Sequence, residues 1–122
     1  MVLAFLTLTK NASGQTQFYG VISNNTSCSV SIQVYDNGLN LLYSNTSSAN
    51  SNTNINCTSG IPYYVDFTYN SCTIRVVCGN GVQNVQTTCG LCGNIDKYDV
   101  GCFTDPHCNL LYGSQITINI NP

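Results

Sequence analysis

Alternation of apolar and polar side chains dominates this chain. From Ser27 to Tyr35, Cys28, Val30, Ile32 and Val34 fall on one side and Ser29, Ser31, Gln33 and Tyr35 on the other. Successive residues of an extended chain point to opposite faces, so this run predicts a half-buried strand. Asp36-Asn37-Gly38 ends it with a turn, and Leu39 to Tyr43 resumes extended structure. Gln17 to Ile22 predicts an earlier short strand. Asn54 to Cys57 predicts a later one, with Ile55 and Cys57 on the same side. Ile116, Ile118 and Ile120 alternate with Thr117 and Asn119 in a last strand. Ser44 to Asn54 holds one Ala and no large apolar residue, and reads as a loop.

Tyr63 to Cys78 carries the most specific pattern. A two-residue loop at Asn70-Ser71 opposes Tyr69 to Cys72, Phe67 to Ile74, Val65 to Val76 and Tyr63 to Cys78. All of these are apolar or Cys, so that face is the expected core. The other face then opposes Asp66 to Arg75, Thr68 to Thr73 and Tyr64 to Val77. A slip of one residue would destroy both agreements. After Gly79-Asn80-Gly81, Val82 to Thr87 reads as the next strand. A plain loop there sets Val85 opposite Arg75 on the outer face, so a bulge is expected to turn it inward.

No stretch shows helical periodicity. The expected fold is all-β: a disulfide-rich antiparallel β-sandwich or open barrel, immunoglobulin-like in size, over residues 15–122. Residues 1–14 stand apart. The apolar run Met1 to Thr9 precedes Lys10 and Ala12-Ser13-Gly14-Gln15, where small residues suit signal-peptidase cleavage before Gln15. No cation precedes the run, however, and Thr7 and Thr9 interrupt it. The competing expectation is an N-terminal interaction strand with Val2, Ala4, Leu6 and Leu8 on one face. Its partner would be a sheet edge beside Ile116, Ile118 and Ile120 of a neighbouring subunit.

Composition narrows the function classes. Asn, Ser and Thr together supply 42 residues, and the charged set is three cations and five carboxylates, with a net charge of -2. Nucleic acid and anionic lipid are not expected partners, since both need clustered Lys and Arg. The Met1–Thr9 run is too short for a membrane span. A hydrophobic fraction of 43% in alternating runs argues against disorder. A weakly charged surface does little to oppose self-association.

Eight cysteines in 122 residues indicate a disulfide framework and an oxidising, extracellular compartment. Five Asn-x-Ser/Thr sites, at Asn11, Asn24, Asn25, Asn45 and Asn56, agree as glycosylation candidates. Cys72 and Cys78 lie six residues apart on one expected strand, about 20 Å, which is too far to bridge. Each needs a partner among Cys89, Cys92, Cys102 and Cys108, and Cys28 is then expected to pair with Cys57. Zinc is the competing chemistry for the last four, with His107 downstream of the Cys89-x-x-Cys92 knuckle. The other cysteines and the sequons favour oxidation, so no metal or cofactor is expected.

Cys89-Gly90-Leu91-Cys92-Gly93-Asn94 resembles the motif near the end of von Willebrand factor type D domains. In that family the motif precedes an acidic calcium-binding segment and belongs to disulfide-linked extracellular assemblies. The resemblance spans six residues. Ile95-Asp96-Lys97-Tyr98-Asp99 departs from the family's acid cluster, and nothing upstream matches its opening motif. What the resemblance leaves is Asn94, Asp96 and Asp99 as calcium-ligand candidates.

The catalytic inventory is one His, five Asp and no Glu, with no nucleophile motif. His107 beside Asp105 and Cys108 reads as a surface residue next to a bridge, so no enzyme is expected. Tyr19, Tyr35, Tyr64, Tyr98 and Tyr112 are candidate exposed aromatics, suited to carbohydrate or protein contact. The leading expectation is a secreted structural subunit that self-assembles into a filament, pilus or surface layer. The alternative is a secreted adhesion module recognising glycan or protein.

Overall fold

β1 (Gln17–Asn24), β2 (Val30–Tyr35), β3 (Leu41–Ser47), β4 (Ser51–Ser59), β5 (Tyr64–Tyr69), β6 (Cys72–Val77), β7 (Gly81–Gln86), β8 (Lys97–Thr104) and β9 (Gly113–Asn121) build two stacked sheets in a computed structural model. The structure describes residues 16–69, 71–78, 81–86, 97–104, 108 and 113–122, with backbone alone for 81–86 and 97. Five strands form one sheet in the order β4-β1-β9-β8-β7, and four form the other, β3-β2-β5-β6. The all-β sandwich expected from the alternation is the observed fold.

The core lies between the sheets and is supplied by alternate residues. Phe18 and Ile22 of β1, Tyr98 and Val100 of β8, and Ile116, Ile118 and Ile120 of β9 come from one side. Val30, Ile32, Val34, Val65, Phe67 and Val76 meet them from the other, and all are essentially fully buried. Each such side chain contributes roughly 1.5–3 kcal/mol of apolar burial. Phe67 stacks on Tyr98 across the two sheets, with ring centroids 4.1 Å apart and planes 11° from parallel.

The β5–β6 hairpin has the register read from its sequence, from Tyr69 opposite Cys72 through Asp66 opposite Arg75 to Tyr64 opposite Val77. Tyr63 keeps its expected place opposite Cys78 but not in the core. It precedes β5 and is exposed; its amide donates to the Tyr35 carbonyl while its own carbonyl accepts from the Cys78 amide.

Further departures have physical causes. β1 and β9 pair in parallel, so the larger sheet is mixed rather than antiparallel. At that seam a Cβ on Gly20 would run into the Ile116 carbonyl oxygen, so only glycine fits. The polar stretch expected as a loop, Ser44 to Asn54, instead forms the end of β3 and the start of β4. Backbone bonding to β2 and β1 recruits it, and those bonds need no apolar side chains. β7 does not continue the hairpin beside β6: it pairs with β8 in the other sheet, placing Val85 opposite Tyr98 rather than Arg75.

Candidate functional site

Register brings one set of apolar side chains to one end of the sandwich. Leu41 at the start of β3 pairs with Tyr35, Tyr35 pairs with Tyr64, and Tyr64 pairs with Val77. The β2–β3 turn adds Leu39, and the β4–β5 connection adds Ile61 and Tyr63. The Cys78–Cys102 bridge, with Cα atoms 5.5 Å apart, ties the end of β6 to β8 and brings Phe103 to the same end. Leu39, Leu41, Ile61, Tyr63, Val77 and Phe103 are the large apolar side chains left exposed among the described residues. Ile61 is 60% exposed and Leu41 56%, so these are not core residues grazing solvent.

Ile61 divides two hollows. On one side is an open cleft of about 470 Å³ bounded by Thr16, Asp36, Asn37, Ser59 and Tyr63. On the other is a smaller one of about 330 Å³ walled by Pro62, the Cys78–Cys102 bridge, Phe103 and Ser114. The cleft's shape comes from a locked turn. Asp36 Oδ1 accepts from the amides of Gly38 at 2.9 Å and Asn40 at 2.8 Å, while the Asn40 side-chain amide donates to both carboxylate oxygens. These bonds, led by the Asn40 side chain, hold the Asp36 carboxyl below its usual range. They also hold Leu39 at a φ of 64°, which presents its side chain from a left-handed position.

Behind this end, the outer face of the smaller sheet carries the ion pair read from the sequence. Arg75 Nε donates to Asp66 Oδ1 at 2.7 Å and its Nη2 donates to Oδ2 at 2.8 Å. The guanidinium lies 4.9 Å from the Tyr64 ring centre and 5.5 Å from that of Tyr35. Hydrogen bonding to Asp66 raises the Arg75 pKa, so the cation is fixed. Asp66 is buried rather than surface-exposed. The pair is therefore more sheltered than an isolated surface ion pair.

The opposite end is polar. The Asn24 side chain is buried, its Nδ2 donating to the carbonyls of Cys28 at 2.7 Å and Ser47 at 3.2 Å. Its Oδ1 accepts from the Thr26 amide and hydroxyl. Asn25, Asn50, Ser51 and Asn52 surround this knot. The sandwich thus has one apolar and one polar end.

The cysteine chemistry is oxidised, and the described residues include no free cysteine. Cys57 bonds Cys108, with Cα atoms 5.7 Å apart, which overturns the expected Cys28–Cys57 pair. The difference arises at the β4 bulge opposite Phe18 and Gly20, which leaves Cys57 exposed instead of facing inward beside Ile55. Cys28 and Cys72 are also disulfide-bonded. Since Cys102 and Cys108 are both in bridges, the competing four-cysteine zinc site does not form. Cys89 and Cys92 lie outside the described residues.

Ile116, Ile118 and Ile120 are not an interface: β9 lies between β1 and β8, and these side chains fill the core. Val2, Ala4, Leu6 and Leu8 lie outside the described residues, as do Asn11, Asn94, Asp96, Asp105, His107 and Tyr112. Asp99, the described member of the calcium set, accepts from Asn121 Nδ2 at 2.9 Å. Among the described residues, no three His, Cys, Asp or Glu side chains are grouped to hold a metal. Tyr19, Tyr35 and Tyr64 are partly exposed, but Tyr98 is fully buried and is not a surface aromatic. The apolar end escapes a reading by periodicity because Leu39, Ile61 and Phe103 interrupt or flank alternating runs instead of extending them. Apolar residues inside turn signals are the available clue.

Comparison with known proteins gives no matching family model, no matching curated relative and no matching solved structure. Among the described residues, no helix is long and apolar enough to cross a membrane.

Proposed function

We propose that this domain is an extracellular structural subunit that assembles with copies of itself, using its apolar end as the contact surface. The gathering of Leu39, Leu41, Ile61, Tyr63, Val77 and Phe103 at one end is the observation that carries this reading. Clustered exposed apolar side chains mark interaction sites, since scattered ones are normal on any surface. The bridges are compatible with an extracellular setting. A weakly charged surface and a rigid disulfide-locked frame suit a building block. An end that meets a different surface of the next copy propagates a filament or layer, whereas two like ends close a dimer.

Adhesion is the second reading, favoured by the cleft beside Ile61. Polar Asp36, Asn37 and Ser59 face apolar Ile61 and Tyr63 across it. That mixture suits a sugar's hydroxyls and its apolar face. Negative-stain microscopy and glycan-array binding of the secreted protein separate the two. Uniform polymers lost on Ile61→Ser support assembly. Monomers that bind a glycan, and lose it on Tyr63→Ala, replace it with adhesion.

A further inference from the structure

The sequons differ sharply in what their amides do. Asn24 is buried and commits both N–H groups of its Nδ2 to carbonyl oxygens, so no hydrogen remains for a sugar to replace. Asn45 is exposed on β3, and one N–H of its Nδ2 donates to Tyr43 Oη at 3.0 Å. Its second N–H bonds no described group. Asn56 is exposed on β4, and no described group bonds its side-chain amide. Asn25 is exposed too, but its amide donates to Asn121 and it lies in the turn beyond β1.

Ser47 supplies a second observation. It is the hydroxyl residue of the Asn45 sequon, is 1% exposed, and its Oγ bonds no described group. A buried hydroxyl without a partner is destabilising, and Ala would fill the position without that cost. The sequon, by contrast, requires a hydroxyl there.

Position gives the two sites a consequence. β3 and β4 are the edge strands of their sheets, joined by a short connection, so their free edges share one flank of the sandwich. Leu42 of β3 also packs over Gly60 just beyond β4. Unpaired edges invite strand addition by other chains. We infer that Asn45 and Asn56 are N-glycan acceptors, and that their glycans shield this flank from edge-to-edge pairing. The inference rests on the extracellular part of the proposed function. In the transfer, a bond forms between Asn Nδ2 and the sugar C1. The C1–O bond to a lipid-linked pyrophosphate donor breaks, Nδ2 gives up a proton, and the lipid pyrophosphate leaves. At Asn45 the remaining N–H can keep its bond to Tyr43.

The test is site mapping on protein secreted from a eukaryotic host, by glycosidase release in heavy-oxygen water and peptide mass spectrometry. Label is expected at Asn45 and Asn56 and absent at Asn24. Ser47→Ala should lose the Asn45 label with no fall in Tm. Asn45→Gln combined with Asn56→Gln, in an Ile61→Ser background that removes end contacts, should associate more than its glycosylated counterpart in sedimentation velocity. Secreted, disulfide-bonded protein without glycans at Asn45 and Asn56, or with one on Asn24, overturns the acceptor assignment alone. Equal association of the two forms overturns the shielding role. Protein retained in the cell with reduced thiols overturns the extracellular reading and this inference with it.

Discussion

Replacing Tyr98 by Phe removes one oxygen from the centre of the sandwich and is expected to stabilise it. The Tyr98 ring is fully buried and stacks on Phe67, a contact that Phe preserves. Its hydroxyl is buried and meets no described hydrogen-bond partner. An unmatched buried polar group costs about 1–3 kcal/mol, so Tyr98→Phe should gain a comparable amount. For a domain of this size that is a Tm rise of roughly 3–6 °C per kcal/mol. Alkaline titration gives an independent check. Burial pushes the Tyr98 phenol up to about 12, above the ordinary tyrosine value near 10. The unfolded chain then loses this proton first. Stability present below pH ~10 is therefore lost as pH rises towards about 12, by about 1.4 kcal/mol per unit. Urea unfolding at neutral pH and at about pH 11, with both proteins, reads both effects. The variant should be more stable at neutral pH and lose less between the two. A variant destabilised by more than about 1 kcal/mol would mean that the hydroxyl is bonded after all, and the expected gain would be disproved.

Three further outcomes are expected. Replacing Cys57 and Cys108 together by Ser opens a loop of 51 residues' separation and should cost about 4 kcal/mol in the chain-entropy picture, read by denaturant unfolding. Gly20→Ala forces a Cβ into the Ile116 carbonyl at the parallel seam and should destabilise by about 3 kcal/mol or more in the same assay; near-neutral stability would mean that β1 and β9 are not so closely paired. Asp66→Ala should lower the Tm more than Thr68→Ala on the same strand, because it strands the Arg75 guanidinium between Tyr35 and Tyr64. Equal effects would show the ion pair to be inconsequential.

The hairpin register is legible in the sequence because both faces constrain it: an apolar face and an Asp66–Arg75 pair that only one alignment satisfies. The last strand is legible as a strand, but its neighbours are not. Alternation in Ile116, Ile118 and Ile120 says that one face is buried, not whether the strand is an edge or runs parallel to β1. β8 leaves little sequence signal, because Lys97, Asp99 and Gly101 alternate with Tyr98 and Val100 only briefly, within a segment that reads as candidate calcium ligands. The end of β3 and the start of β4 are hidden for a different reason. Edge strands held mainly by backbone bonds can be built from Asn, Ser and Thr, which carry no hydrophobic period. The apolar end requires the fold itself, since Leu39, Ile61 and Phe103 are far apart in sequence and reach one end of the sandwich only through the turn and the Cys78–Cys102 bridge.

Sedimentation velocity over a range of concentrations, comparing the native protein with an Ile61→Ser, Phe103→Ser variant, decides whether the apolar end drives assembly. Both side chains are exposed, so the variant should remain folded, with an unchanged circular dichroism spectrum and unchanged disulfides. The native protein should grow in sedimentation coefficient as concentration rises, and the variant should stay monomeric. A native protein that is monomeric throughout, or a variant that assembles as readily as the native chain, would rule out assembly through this end.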